Sequence, residues 1–168
     1  MAQRAIDPVG AAEHVVHAAR TAGEAVSALR DALLPFLPVD VVSIVTFRDE
    51  EAVFAATSDD SAFYRTGTQV GYGITDDVTK IVSTLLLGRA IRVRLDEYDI
   101  GLLALPLEQE GIAVAIAAPV MDGEVVVGAL AAAARDPDAF TDDDVAVFEQ
   151  IARAVGARLL ELLATAKD

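Results

Sequence analysis

The sequence lacks cysteine and tryptophan altogether, and only 5% of its residues are aromatic. Without cysteine, the chain can form no disulfide, thiolate nucleophile, thioether-linked cofactor or cysteine-ligated zinc site. No apolar run reaches the roughly 18 residues of a membrane-spanning helix, and the first ten residues lack the apolar stretch of a signal peptide. We therefore expect a cytoplasmic protein that does not bind membranes.

Basic residues are also scarce. The chain has 13 basic and 27 acidic residues, which give it a net charge of −14. This charge repels nucleic-acid phosphates and anionic lipid headgroups, so neither is expected as a partner. The 168 residues suit one ordinary domain. Much of the 54% hydrophobic content is alanine and valine, which predicts a core of small aliphatic side chains.

The N-terminal part has a helical pattern. Asp7 and Pro8 resemble an N-cap followed by proline at the first helical position. Apolar residues then recur every three or four positions, at Ala12, Val15, Ala19, Ala22, Val26, Leu29, Leu33 and Phe36. Because Gly23 interrupts the series, the pattern predicts either one bent helix or two helices that meet near residues 21–23.

Four strands are predicted in two hairpins. β-branched and apolar runs cover residues 41–48 and 51–57, and longer runs cover 112–120 and 124–134. The second pair is joined at Asp122-Gly123, where glycine supplies the positive φ of a tight turn. Both faces of the last two strands are apolar, so we expect helices to cover one face and loops the other, with room for a ligand beneath the loops.

The remaining segments complete an α+β order. Thr75 predicts a helix over residues 76–87, residues 90–94 a short strand, and residues 96–111 a short helix followed by extended chain. Thr141 predicts the start of the last helix. The sequence therefore favours a central antiparallel sheet with the N- and C-terminal helices on one face.

The order of these segments resembles the GAF domain family. The resemblance is carried by VDVVSIVTFRDE (39–50), VGYGITDDV (70–78), GRAIRVRLDE (88–97), AAPVMDGEVVVGAL (117–130) and DAFTDDDVAVFEQIARAVGARL (138–159). It implies an antiparallel sheet of about six strands, a ligand cavity on the loop-covered face and dimerisation through the terminal helices. It also implies residues 1–20 as a helical extension, 21–163 as the GAF domain and 164–168 as a tail.

Departures from the family's patterns exclude several of its known ligand classes. Bilin-attaching members and the sulfoxide reductases of the family depend on cysteines, which are absent here. Haem-binding members use a pocket histidine, but no histidine follows His17. The Asn-Lys-x-x-x-Phe-x-x-x-Asp-Glu pattern of cyclic-nucleotide sites is also missing. The resemblance thus implies a sensory domain for an unidentified small molecule or, alternatively, a ligand-free dimerisation module.

We expect any ligand to lie between the sheet and the loop segments 63–74 and 95–107, with Arg92 of the short strand 90–94 within reach. The predicted site consists of Phe63, Tyr64, Tyr72, Arg92, Tyr98 and Leu102. The aromatic residues could instead fill the core, and Arg92 with Arg94 could either clamp an anion or pair with surface acids.

Motifs for other chemistry are incomplete. His14 and His17 lack a third metal ligand, and Gly71-Tyr72-Gly73 is followed by Asp76 where a phosphate loop needs glycine. Asp136, Asp138 and Asp142 lack the glycine and glutamate of a calcium loop. No serine lies in a G-x-S-x-G turn, and no histidine accompanies a nucleophile. We expect no metal site and no catalysis.

The last helix also predicts a homodimer. Its apolar seam consists of Val145, Phe148, Ala152, Val155, Leu159 and Leu162. This spacing matches a coiled coil, whereas Val147 and Ile151 would cover the chain's own sheet. We expect Leu159 and Leu162 to contact a second copy rather than the sheet.

Overall fold

The α+β fold predicted from the sequence is confirmed. The structure is a computed structural model that describes residues 7–59, 66–101 and 104–165. In those residues the helices are α1 (Pro8–Ala18), α2 (Ala22–Leu33), α3 (Asp76–Leu86), α4 (Ala104–Gln109) and α5 (Asp142–Thr165). The strands are β1 (Val41–Arg48), β2 (Glu51–Thr57), β3 (Gln69–Gly71), β4 (Ile91–Arg94), β5 (Val114–Asp122) and β6 (Val125–Ala134). They form an antiparallel sheet in the order β3-β2-β1-β6-β5-β4.

Two helices, rather than one bent helix, form the N-terminal part. Asp7 caps α1 by accepting a hydrogen bond from the Gly10 amide at 2.6 Å. Thr21 caps α2 in the same way, with its hydroxyl 3.1 Å from the Glu24 amide. A second cap at Thr21 lets the chain change direction, so that both helices can pack on the core.

The strands differ from the predicted ones mainly at their ends. Strand β5 begins at Val114 rather than Ile112, because the Ile112 amide donates to the Leu107 carbonyl at the end of α4. Strand β3 was not predicted, since three residues ending in glycine give little strand signal. The helix within residues 96–111 is the short α4.

The sheet has two covered faces. Helices α2 and α5 pack on one face of the sheet, and α1 packs on these two helices from the same side. Their shared core includes Leu29, Ile44, Leu130 and Phe148. The first and last helices therefore share a face, as predicted. The other face was expected to carry loops alone, but the apolar side of α3 also packs there. The capped helix buries Val78, Val82 and Leu85, which are four and three residues apart and face the sheet.

The predicted dimer seam is part of this chain's own core, which corrects the role given to its residues. Leu159 is 0% exposed and Leu162 is 4% exposed within a single chain. They belong to the same core as Ala12 and Val16 of α1, which packs along α5. Helix α1 and the chain's own sheet both pack against α5, so this stripe is buried within one chain. Homodimerisation itself stays a prediction, but these leucines are not free to mediate it.

Candidate functional site

A difference in side-chain size between the two faces of β5 and β6 creates the candidate site. Alternate residues on the face opposite α5 are alanines: Ala115, Ala117, Ala129, Ala131 and Ala133. The face toward α5 carries larger groups such as Ile116 and Leu130, which pack in the main core. Successive strand residues point to opposite faces, so the sequence places bulk beside α5 and leaves space beneath α3.

That space is a cavity of about 190 Å³ that is partly open to solvent. Helix α3 supplies its roof through Val78, Ile81, Val82 and Leu85. Strands β1, β2, β3 and β4 add Val41, Val45, Phe47, Ala52, Phe54, Val70 and Val93, and the later loops and α4 add Leu95, Ile100 and Leu107. The cavity therefore lies between the sheet and a cover that includes α3, α4 and part of the predicted loop region 95–107. Of the predicted region 63–74, Val70 is the described residue that lines the cavity, and it belongs to β3 of the sheet.

Ser43 is the one polar side chain among the described residues that line the cavity. It is 1% exposed, and its hydroxyl donates to Thr57 Oγ1 at 3.2 Å. Thr57 in turn donates to the Asp59 carbonyl at 3.1 Å. The described lining contains no charged group, so it offers no acid–base pair for proton transfer.

Tyr72 and Tyr98, the two of the three predicted tyrosines that the structure describes, lie beside the cavity rather than in its wall. Both pack against the apolar cluster beneath α3. The Tyr72 ring meets the cavity-lining Phe47 edge-on, with ring centroids 5.8 Å apart and an interplanar angle of 84°. Burial, with a smaller contribution from the Glu50 carboxylate, raises the pKa of the Tyr72 hydroxyl above its ordinary value. Tyr72 thus buttresses one end of the cavity.

Arg92 lies on the face of β4 opposite the cavity, because its neighbour Val93 points into the cavity. Its Nη1 donates to the Phe140 carbonyl at 2.6 Å and lies 3.3 Å from Asp142 Oδ1. Arg94 pairs with acids in the same way, including Asp96 Oδ1 at 3.3 Å. Both arginines thus pair with surface acids, which was the alternative to clamping an anion.

Arg92 and Tyr98 come together in a second, polar groove between β4 and α5. Arg94, Glu149 and Arg153 also line this groove. Of the six predicted ligand residues, the structure thus brings these two together and separates them from Tyr72. Phe63, Tyr64 and Leu102 lie outside the described residues.

The residues of the incomplete motifs make local contacts. His17 Nδ1 lies 2.8 Å from the Glu13 carbonyl oxygen, within its own helix. Asp136 accepts from the Asp138 amide at 2.9 Å, which closes a turn. Across the described ranges, no three His, Cys, Asp or Glu side chains are grouped to hold a metal ion. The helices in these ranges include none that is long and apolar enough to cross a membrane.

Sequence reasoning missed the alanine residues that form the cavity floor. It recognised that both faces of β5 and β6 are apolar but did not compare their volumes. The usable signal is the alternation of alanine with larger residues over 113–117, AVAIA, and the alanines on either side of Leu130 in β6. A face of methyl groups opposite a face of isoleucine and leucine predicts space on the methyl side.

Comparison with known proteins was made for both sequence and fold. The sequence profile of the GAF domain matches residues 22–159. This range lies inside the predicted bounds of 21 and 163, which stay a prediction. No protein of curated function matches the sequence.

Solved structures share the fold at low identity. The GAF domain of an Acinetobacter phosphoenolpyruvate-protein phosphotransferase has a TM-score of 0.71 at 10% identity, covering 100% of both chains. The corresponding Coxiella burnetii domain has a TM-score of 0.70 at 17% identity, covering 99% of this chain and 100% of the other. The chromophore-binding domain of an R. palustris bacteriophytochrome has a TM-score of 0.66 at 12% identity, covering 96% of this chain and 61% of that one. This chain thus spans less than two thirds of that photoreceptor fragment.

Proposed function

Because the chain belongs to the GAF domain family, we propose that it is a non-catalytic, cytoplasmic sensory domain that binds a small molecule and regulates signalling partners. Domains of this family are generally sensory or regulatory. The observation that carries the proposal is the apolar cavity of about 190 Å³ between α3 and the alanine face of the sheet. Nucleic acid and membranes are not its partners, given the net charge of −14.

The sheet connects the cavity to the helical face. Strands β5 and β6 carry Ala117 and Ala131 toward the cavity, and Ile116 and Leu130 toward the main core. Helix α5 lies so close to β5 that a Cβ on Gly156 would be 3.2 Å from Val120 Cγ1. A ligand that shifts either strand would therefore change the packing of α5, because dense cores transmit displacement.

A ligand-free dimerisation module is the second candidate. The observation that favours it is a stripe on α5 that stays exposed after α1 has packed, consisting of Ala146, Gln150, Arg153, Ala157, Glu161 and Ala164. Three of its six side chains are alanines, which leave room for a second helix to approach. We propose that a homodimer through the terminal helices uses this exposed stripe, and such a dimer is compatible with the sensor.

Native mass spectrometry of the protein purified from its own host, followed by a thermal-shift screen of metabolites, tests the sensor proposal. We expect a bound small molecule or a metabolite that raises Tm. The variant Ala131→Leu fills the cavity and should lose this response, whereas Ser27→Leu at an exposed position of α2 should keep it. A domain that binds no compound in any variant would contradict the sensor and favour the dimerisation module.

A further inference from the structure

We infer that the cavity selects a small, uncharged, largely hydrocarbon ligand of about the size of one six-membered ring, with at most one hydroxyl group. This inference rests on the proposed function, because it names the ligand class for the same cavity. Three properties of the described lining lead to it: its polarity, its volume and the hydrogen bonding of Ser43.

The polarity of the lining excludes charged ligands. An ion that leaves water for an apolar site loses its hydration and needs a compensating charge or several hydrogen-bond donors. The described lining has aliphatic and aromatic groups and one serine hydroxyl. Arg92 and Arg94, which flank the lining residue Val93, lie on the other side of β4 and pair with acids there. Carboxylates, phosphates and ammonium groups are therefore poor occupants.

The volume excludes large ligands. Pockets for drug-sized molecules usually measure roughly 300 to 1,000 Å³, and the cavity here measures about 190 Å³. An engineered apolar cavity of roughly 150 Å³ stays dry and takes up benzene. A single ring or a short branched chain matches this volume, whereas a tetrapyrrole or a nucleotide exceeds it.

The hydrogen bonds of Ser43 determine which polar group of a ligand the cavity prefers. Thr57 uses its hydroxyl proton on the Asp59 carbonyl, so the proton in the Ser43–Thr57 hydrogen bond belongs to Ser43. Ser43 then has no proton for a ligand, but its oxygen can still accept one. The cavity should prefer a ligand hydroxyl, which donates, over a carbonyl or ether, which only accepts.

Titration with four probes of similar size tests this inference: toluene, phenol, benzaldehyde and benzoate. Binding is followed by methyl chemical shifts in NMR and by Tm. We expect toluene and phenol to bind, and benzoate to bind at least about 100-fold more weakly because its charge is not compensated. Ser43→Ala should weaken phenol about fivefold relative to toluene, as expected for one hydrogen bond.

Matched variants link the binding to the cavity. Ala131→Leu fills the cavity and should abolish toluene binding, with Ala117→Val as a smaller change if the leucine variant does not fold. Ser27→Leu adds a leucine at an exposed position of α2, outside the cavity, and should leave binding unchanged. Equal affinities for benzoate and toluene, no binding of toluene to the parent, or toluene binding that survives Ala131→Leu and Ala117→Val would overturn the inference.

The same measurements separate failure of the inference from failure of the sensor proposal. A charged or large metabolite that raises Tm in the parent but not in Ala131→Leu would refute the ligand class and leave the sensor intact. If neither the probes nor the metabolites bind, both proposals fail.

Discussion

Arg92 of the edge strand β4 hydrogen-bonds to the main chain of Phe140, with 2.6 Å between Nη1 and the carbonyl oxygen. Phe140 is 1% exposed and has a φ of 68°, a left-handed conformation that is costly for a residue with a bulky side chain. The next residue, Thr141, caps α5 through the Asp144 amide. Arg92 therefore holds a strained turn at the start of the longest helix. Since Val93 lines the cavity, the same strand touches both the candidate ligand site and this turn.

Replacing Arg92 should destabilise the fold by more than an ordinary surface substitution. Arg92→Met keeps the aliphatic stem but removes the charged donor, and we expect a loss of about 1.5 to 3 kcal/mol in the free energy of unfolding. Arg153→Met is the control, because its ion pair with Glu149 is an exposed contact within one helix, worth about 0.3 to 0.5 kcal/mol. Urea denaturation measures both. Equal losses would show that the Phe140 turn does not depend on Arg92.

The β1–β2 turn should accept a stabilising change. Asp49 and Glu50 have φ values of 53° and 61°, although neither is glycine. A two-residue turn with both φ values positive favours Asn-Gly. We expect Asp49→Asn with Glu50→Gly to raise the free energy of unfolding by about 1 kcal/mol, since relief of left-handed strain exceeds the entropy cost of glycine. Glu51→Gly, one residue into β2, should instead lower it. If the double variant is less stable than the parent, the side chains of the turn contribute more than its backbone strain.

Stability should decline at alkaline pH in part through Tyr72. Its pKa is raised in the folded protein by burial first and by Glu50 second. The neutral hydroxyl is therefore favoured by folding, so this contribution is complete below the unfolded pKa of about 10 and is lost as pH rises through the folded pKa. Tyr72→Phe should reduce the alkaline loss of stability, and Glu50→Gln should lower the pKa. Tyrosinate absorbance and urea denaturation across this range provide the measurements. An unchanged alkaline profile in Tyr72→Phe would contradict the prediction.

The two sides of α5 should respond differently to charge. Leu159→Glu with Leu162→Glu places carboxylates in the buried contact with α1, and we expect a loss of more than about 4 kcal/mol or failure to fold. Ala157→Glu lies on the exposed stripe and should keep the fold but weaken the proposed dimer. Ser83→Glu on α3, on the other side of the sheet, controls for added charge.

Light scattering in moderate salt, which screens repulsion between subunits of charge −14, measures the association. Dimerisation should weaken as the ionic strength falls. A parent protein that is monomeric at high micromolar concentration would contradict the dimer proposal.

Local signals predicted the boundaries of the fold well. The Asp7, Thr75 and Thr141 caps follow from neighbouring residues alone, and the structure confirms them. The hairpin at Gly123 is confirmed too, but its two turn residues are Gly123 and Glu124, because Asp122 belongs to β5 and pairs with Val125. Each involves chemistry within three or four positions of the chain. Strand β3 gave no comparable signal, because its pairing with β2 supplies the order that its own residues lack.

The functions of individual surfaces depend on contacts between distant parts of the chain. The stripe through Leu159 suits a partner helix, but only the fold shows that α1 of the same chain is that partner. Likewise, Arg92 alternates with Val93, and only the sheet decides which of the two faces the cavity. Hydrophobic periodicity identifies a buried surface, but not what covers it.

The space above the alanine floor should also make the folding of this domain sensitive to hydrostatic pressure. Interior space that water cannot fill efficiently disappears when the chain unfolds, so hydrostatic pressure favours the unfolded state. The cavity beneath α3 should place the volume decrease on unfolding toward the larger end of the usual range of roughly 20 to 100 mL/mol. The protein with an occupied cavity should therefore unfold at a higher pressure than the protein with an empty one. High-pressure fluorescence or NMR could thus report occupancy without any knowledge of the ligand's identity.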